Sequence, residues 1–181
     1  MTGHETDPST DPACALTRTE GAAHVDGEAL VAVFDSPVAA HLMHFARDCG
    51  FRTTLLEPRG DHAVVHGRAY ADKVIDTVDA SLFDATVDVV VTDHDRPELG
   101  ETLRDLLAAE SRWVGVMGSP RHAPPHVPAL QELGVPGDTI ARVHRPIGLN
   151  IGSRLPAEIA LATVAGLIAD RRDRPGGFAF D

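Results

Sequence analysis

The sequence predicts an α/β protein, a three-layer sandwich in which helices cover both faces of a mostly parallel sheet. Three observations lead to this fold class: short uninterrupted apolar runs, amphipathic helical stretches that alternate with them, and turn residues at the junctions. The chain has 181 residues, 43% of them hydrophobic, which suffices for one globular domain with a core. We therefore expect a domain over residues 28–172, a leader over 1–27 and a tail over 173–181.

Net charge and composition argue against several classes of protein. The net charge of −11 disfavours binding to nucleic acid or to an anionic membrane surface. Cys14 and Cys49 belong to no C-x-x-C pair, so neither a zinc knuckle nor a disulfide framework is indicated, and a cytoplasmic location fits best. The leader is polar and should be disordered. We find no signal peptide and no apolar run of about 18 residues, so no membrane span is expected.

The first elements form a βαβ unit. Residues 29–34 are wholly apolar, as in a parallel strand covered on both faces. Asp35-Ser36-Pro37 suits a helix start, and the helix should extend over 38–49 and stop at Gly50. Its predicted buried stripe is Ala39, Leu42, Met43 and Ala46. A second strand over 51–57 completes a unit of about 30 residues, which is typical of a Rossmann-like fold.

The turn after the first strand departs from the dinucleotide-binding pattern. Where G-x-G-x-x-G would let the backbone approach a pyrophosphate, the chain has Asp35, Pro37 and Ala40. Asp35 places negative charge there, and Pro37 lacks an N–H donor. Glu57 stands where an acid would meet a ribose hydroxyl, although an acid that ends a strand is also an ordinary surface residue. Conventional dinucleotide binding at this turn is therefore disfavoured.

The later elements alternate in the same way. Three further segments are predicted strands, a short one at 73–77, the clearest buried strand at 84–92 and another at 113–117. Three further stretches are predicted helices, at about 96–110, 126–133 and 156–171. Apolar positions at helical spacing predict which side chains the second and last of the long helices bury: Leu99, Leu103, Leu106 and Leu107 in one, Leu161, Val164, Ala165 and Ile168 in the other. Residues 59–71 should form an exposed excursion.

Candidate site residues follow the predicted strands. His94 lies in T-D-H-D after the clearest predicted buried strand, and Gly118-Ser119-Pro120-Arg121 follows the next predicted strand. The carboxyl ends of parallel strands are where open α/β sheets bind ligands. Gly118 permits a sharp turn, while the Ser119 hydroxyl and the Arg121 guanidinium can bind an oxyanion.

The loop from Arg145 to Glu158 is the centre of the predicted site. Gly148 and Gly152 allow tight turns, and the helix that starts at Pro156 presents backbone N–H groups, which favour an anion. Arg154 supplies charge and planar donors. Glu158 is expected to cap its own helix by reaching back to N–H groups exposed at the turn.

The sequence of residues 146–160 follows the motif P-x-G-L-x-I-G-S-R-x-P-x-E-I-A. This motif resembles the signature near the C-terminus of the XdhC/CoxI family. These are accessory proteins of molybdenum hydroxylases such as xanthine dehydrogenase and carbon monoxide dehydrogenase. The segments at 92–95 and 118–121 are also similar to the family's T-x-x-H and G-S-basic-basic segments. The resemblance covers about residues 30–170 and corresponds to the family's C-terminal Rossmann-like domain.

The resemblance implies binding of the molybdenum cofactor, a pterin with a phosphate or dinucleotide tail, and its delivery to an apo-hydroxylase. It also implies a homodimer. Under this reading His94 contacts the metal–sulfur end of the cofactor or orients a loop. A carrier of this kind needs no catalytic residue, and none is predicted.

Two other functions stay open. One is an oxidoreductase that uses NAD(P) or FAD, which the altered glycine turn disfavours. The other is a scaffold that has lost its ligand, because Leu155 replaces the family's Ser or Thr before the proline and Asp35 and Pro37 replace glycines. A metal site is not expected, since two prolines separate His122 from His126 and no third ligand is near them.

Overall fold

The computed structural model describes residues 27–60 and 63–177. Within these ranges six strands form one sheet: β1 Ala29–Val33, β2 Arg52–Leu56, β3 Lys73–Ile75, β4 Val87–Val91, β5 Trp113–Val116 and β6 Val143–His144. The α-helices are α1 Pro37–Asp48, α2 Leu99–Ala108, α3 His126–Glu132, α4 Gly137–Ile140 and α5 Pro156–Arg171. Short 3₁₀ turns occupy Arg68–Tyr70 and Ala80–Leu82.

The sheet has the order β3-β2-β1-β4-β5-β6, and every neighbouring pair is parallel. This is the strand order of the doubly wound Rossmann fold. The prediction of a mostly parallel Rossmann-like sheet is confirmed, since the sheet is parallel throughout. The β4 strand is buried at all five positions, and four of its five residues are valines.

Helices cover both faces of this sheet. On one face, α1 and α5 pack together over a cluster that includes Leu30, Leu42, Met43, Val164 and Leu167. On the other face, α2, α3 and α4 contribute to a cluster that includes Leu99, Leu103, Leu106, Leu130 and Ile140. The three-layer arrangement and the stripes predicted for α1 and α2 are therefore confirmed.

Local sequence explains where α1 begins and where it ends. Ser36 is the N-cap, with extended backbone, and its hydroxyl accepts a hydrogen bond from the Ala39 N–H at 3.0 Å. Pro37 occupies the first turn, where its missing N–H costs nothing. Gly50 follows the helix with a φ of 92°, a conformation that favours glycine.

Two parts of the sequence prediction were wrong or incomplete. The buried stripe of α5 is displaced by one position, because Leu161 is 53% exposed while its neighbours Ala160 and Ala162 are buried. The helix faces both α1 and the loop that precedes it, and the Ala162 carbonyl accepts a hydrogen bond from Leu149 N–H in that loop. The elements α4 and β6 were not predicted, since a helix of four residues and a strand of two carry no periodic signal.

A buried acid at the amino end of the sheet ties the last helix to the strands. Asp88 is fully buried in β4, where Arg112 and Arg171 donate to its two oxygens at 2.6 and 2.8 Å. Burial raises the pKa of Asp88, and the two arginines oppose that rise. Arg171 also donates to the Thr86 carbonyl, so it fixes the end of α5 against β4.

Some expectations concern residues that lie outside the described ranges. These are the leader over residues 1–26 with Cys14, and the tail beyond residue 177 with its two phenylalanines. Among the described residues, no helix is long and apolar enough to cross a membrane.

Candidate functional site

The sheet reverses direction of growth between β1 and β4, so its switch point lies at the carboxyl ends of these two strands. Ligands of open α/β sheets bind in the crevice at such a point. The two strand ends are joined by hydroxyl groups, since Thr92 Oγ1 donates to the Phe34 carbonyl at 2.8 Å and lies 3.0 Å from Ser36 Oγ. The loops after β4, β5 and β6 continue along the same edge.

The turn after β1 holds its own anion. The Asp35 carboxylate accepts hydrogen bonds from three successive backbone N–H groups, those of Val65, His66 and Gly67, at 2.7 to 2.8 Å. Successive N–H groups of this kind form a nest that commonly binds phosphate. Gly67 is needed for the close approach, because a Cβ there would lie 2.6 Å from the Met43 methyl group. A side chain of the protein therefore occupies a natural anion site.

The acid at the end of β2 is also engaged internally. Glu57 is only 1% exposed, so its interpretation as an ordinary surface residue was wrong. Arg96 binds both of its oxygens, at 2.6 and 3.2 Å, and the N–H groups of Asp35 and Arg59 complete its shell. Burial alone would raise the pKa of Glu57, but these hydrogen bonds outweigh it and lower the pKa.

The same ion pair extends to the surface. Arg96 stacks over the Phe34 ring at 4.7 Å and also pairs with Glu98, which Arg59 binds at 2.6 Å. Hydrogen bonds from Arg59 are the main cause that lowers the pKa of Glu98 to about 2. The groups that a dinucleotide would use at this turn thus have partners within the chain, which disfavours NAD(P) or FAD here.

His94 lies beside this network, in the loop between β4 and α2. Its side chain is 28% exposed, and Nε2 lies 3.7 Å from a carboxylate oxygen of Asp95. Because β4 and β5 are neighbours, this loop and the loop that starts at Gly118 leave adjacent points of the sheet edge.

The loop after β5 combines a glycine contact with an exposed cation. Gly118 lies directly against the guanidinium of Arg145, and a Cβ at this position would stand 2.8 Å from Cζ. The Ser119 hydroxyl accepts a hydrogen bond from the Arg121 N–H at 3.2 Å, which leaves its own proton for another acceptor. Arg121 is exposed, and its guanidinium has no partner in the described part of the chain.

The loop between β6 and α5 divides into a packed part and an exposed part. Gly148, with a φ of 83°, lies so close to α5 that a Cβ would stand 3.2 Å from the backbone of Ala162 and Thr163. Gly152, with a φ of 69°, has open space around it. Gly148 therefore fixes the loop against the helix, whereas Gly152 shapes the exposed turn.

The helix start beyond this turn has a partial cap. Glu158 accepts hydrogen bonds from the N–H groups of Arg154 and Leu155, at 2.8 and 3.1 Å, which confirms the predicted cap. Leu155 has no side-chain acceptor, so the usual hydroxyl half of the capping box is absent. The Arg154 side chain is exposed and, like that of Arg121, makes no ion pair with the described residues.

Beside this loop a cleft of about 260 Å³ opens between β6 and α5. Trp113 and His144 stack in it with their ring centroids 5.0 Å apart. Pro146 and Gly148 line it from the loop, and Gly166 from the helix. The cleft is adjacent to the predicted site but was not itself predicted.

Sequence reasoning also missed two polar side chains with buried, unpaired nitrogens, those of Arg145 and His126. Arg145 begins the central loop but received no role, and two of its nitrogens are buried without a partner. His126 was expected to have a structural or surface role rather than to bind a metal; it is 3% exposed and its Nδ1 has no hydrogen bond with the described residues. In residues 27–60 and 63–177 no three His, Cys, Asp or Glu side chains come together as a metal site would require.

Comparison with known proteins gives three findings. Residues 30–167 match the model of the XdhC Rossmann domain. The uncharacterized protein YqeB of Escherichia coli (strain K12) is 36% identical over 77 residues, which are 42% of this chain and 14% of that protein. A solved structure named as a xanthine dehydrogenase from Bacillus halodurans aligns with a TM-score of 0.60 and 27% identity, over 84% of this chain and 45% of that one. The chain thus spans less than half the length of either relative.

Proposed function

Because the chain belongs to the XdhC Rossmann domain family, we propose that it is an accessory protein that binds the molybdenum cofactor and assists its insertion into a molybdenum hydroxylase. The client is an apo-enzyme of the xanthine dehydrogenase or carbon monoxide dehydrogenase type. The protein acts in the cytoplasm, as a homodimer. When bound, the cofactor supplies the client's redox chemistry; this chain holds the cofactor and releases it.

The observation that carries the proposal is a pair of free cations on the loops of the sheet edge. Arg121 and Arg154 are exposed and have no carboxylate partner among the described residues, in a chain with 27 acidic and only 16 basic side chains. By contrast, Arg96, Arg112 and Arg171 are all engaged with acids. Guanidinium groups left free in this way suit the phosphate and carbonyl oxygens of a pterin cofactor.

The backbone around these arginines fits an extended, polar ligand. Ser119 keeps a hydroxyl proton free, and the turn at Gly152 has open space on its outer side. His94 is half-buried at the end of the neighbouring strand, where it can contact the ligand. The dinucleotide turn is filled by Asp35, so the ligand lies over β4, β5 and β6 rather than over β1.

Exposed apolar side chains beside the same loop suit a protein client. Ile151, Leu155 and Leu161 are 54%, 61% and 53% exposed. Large apolar side chains at the surface mark protein contacts when they occur together. Because they lie on the central loop and the first turns of α5, we propose them as the docking surface for the client, next to the proposed cofactor site.

The proposal is tested by anaerobic titration of the purified protein with molybdenum cofactor released from a donor enzyme, with co-elution as the readout. We expect stoichiometric binding that Arg121→Ala or Arg154→Ala weakens about 10-fold or more, since each removes charged hydrogen bonds of about 1.5–3 kcal/mol. Arg104→Ala is the matched control, because it removes the same charge from the exposed side of α2. Absence of binding, or equal retention by all four proteins, would contradict the proposal.

A further inference from the structure

Arg145 differs from Arg96, Arg112 and Arg171, each of which pairs with a buried acid. Its Nη1 donates to the His122 carbonyl at 3.1 Å, but Nε and Nη2 are buried and have no hydrogen-bond partner in the described residues. No carboxylate in the same ranges pairs with it, whereas Arg96 and Arg171 each bind a buried acid. Buried donors without acceptors are rare in folded proteins, so a group of this kind needs an explanation.

The two unpaired nitrogens are the two donors of one fork. In a guanidinium group, Nε–H and one N–H of Nη2 lie on the same edge and point in the same direction. This spacing matches two oxygens of a single oxoanion, which a planar fork binds in a bidentate manner. The third nitrogen is used by His122, so the fork is held in one orientation.

Gly118 makes room for this group. A Cβ at residue 118 would lie 2.6 Å from Nε and 2.8 Å from Cζ of Arg145, so any larger residue there would displace the guanidinium from the loop after β5. The fork therefore lies at the carboxyl ends of β5 and β6, covered by the loop that carries Ser119 and Arg121.

His126 provides a second, independent sign of a missing ligand. Its ring is 3% exposed and Nδ1 has no partner among the described residues. Burial, and then the nearby charge of Arg145, lower the pKa of His126, so its ring is neutral at physiological pH. A neutral ring can accept or donate one further hydrogen bond at this position.

We propose that the Arg145 fork, together with His126 and the hydroxyl of Ser119, is a receptor for the phosphate group of a small-molecule ligand. A carboxylate has only two oxygens, and the fork would use both. A phosphate has further oxygens for the imidazole and for the hydroxyl proton, which is why phosphate suits this set of donors better. The anion reaches the fork by displacing the contact between Arg145 and Gly118. This inference stands whether or not the ligand is the molybdenum cofactor.

Calorimetric titration of the full chain with inorganic phosphate, at constant ionic strength, tests this inference. Acetate is titrated in parallel as the carboxylate arm. Trp113 gives a second readout, because it is the only tryptophan of the chain and stacks on His144, next to Arg145. We expect phosphate to bind, and acetate to bind at least tenfold more weakly.

Variants locate the bound anion. Arg145→Ala should weaken phosphate binding at least tenfold, and Arg145→Lys should weaken it too, since lysine keeps the charge but loses the fork. Arg104→Ala, with the same change of charge as Arg145→Ala, should bind as the unchanged protein does. If Arg145→Ala fails to fold, Arg145→Lys decides alone. No phosphate binding, tighter binding of acetate, or unchanged binding after substitution of Arg145 would overturn the inference. Such results leave the cofactor co-elution test unaffected.

Discussion

Replacing Arg96 by methionine should destabilise the protein strongly, because Arg96 neutralises a carboxylate that is sealed from water. Glu57 is 1% exposed, and the side chain of Arg96 is 12% exposed. Methionine keeps much of the contact with the Phe34 ring, so the change tests the charge rather than the packing. The carboxylate would be left with the N–H groups of Asp35 and Arg59 alone.

The magnitude follows from this loss. Breaking a buried ion pair on one side typically costs about 3–5 kcal/mol. Since two backbone hydrogen bonds to Glu57 survive, we expect the lower end, about 3 kcal/mol, out of a total stability on the order of 5–15 kcal/mol. Arg59→Met is the matched control, because it removes an arginine that pairs with Glu98 at the surface. The side chain of Arg59 is 49% exposed, so its loss should cost about 1 kcal/mol or less.

Urea denaturation at pH 7 measures both losses, and the double variant Glu57→Gln/Arg96→Met should recover part of the loss. The pKa of Glu57 is lowered in the folded protein. Its contribution is therefore complete above the ordinary glutamate pKa of about 4.3 and is lost as pH falls through the lowered value. The loss caused by Arg96→Met should shrink as pH falls, because burial raises the pKa of a Glu57 without Arg96 and its protonated form needs no cationic partner. Equal losses of stability for Arg96→Met and Arg59→Met would refute the claim that the buried pair of Glu57 and Arg96 stabilises the protein more than the exposed pair of Arg59 and Glu98.

Three further predictions concern the loops. Gly148→Ala should cost about 1–3 kcal/mol more than Gly152→Ala in thermal or urea unfolding, because both have positive φ but only the first meets the backbone of α5; equal costs would contradict the packing. Asp35→Ala should cost about 1–3 kcal/mol of stability and speed hydrogen exchange at the amides of residues 65–67. Asp35→Asn keeps one acceptor oxygen, so both effects should be smaller; unchanged exchange in Asp35→Ala would contradict the hydrogen bonds of the nest. Because the pKa of His126 is lowered, its neutral ring stabilises above about pH 6.5 and less as pH falls. The stability difference between the protein and His126→Gln should therefore shrink from pH 8 to pH 5, and a constant difference would count against a buried neutral ring.

Most of the fold was predictable because the signals are local. A continuous apolar run marked β1, a valine-rich run marked β4, and Ser36, Pro37 and Gly50 marked the ends of α1. All of these signals depend on neighbours in the chain. The stripe of α5 failed because the helix packs on two sides, which shifts its buried positions by one residue. The strand β6 consists of two residues and is defined by its pairing with β5. No pattern within so short a segment can reveal a strand.

The sequence was enough to predict which loops form the candidate site, but not which side chains contact each other there. Chemistry and position at strand ends pointed to Gly118 and Arg154, and the cap by Glu158 follows from its spacing to the helix start. The pair of Glu57 with Arg96 joins residues 39 apart in sequence. The contact of Arg145 with Gly118 depends on how β5 and β6 align. Such long-range contacts are set by the sheet register, and a single sequence carries no direct sign of them.

Delivery to a client is the central claim, and transfer of the cofactor tests it directly. The protein loaded with molybdenum cofactor is mixed anaerobically with a cofactor-free hydroxylase, and the regained hydroxylase activity is compared with that given by the same amount of free cofactor. We expect faster and fuller activation from the loaded protein. Leu161→Ser, on the exposed face of α5, should slow transfer, whereas Val65→Ser, at an exposed valine outside the proposed docking surface, should not. Activation no better than that by free cofactor would contradict the proposed accessory function.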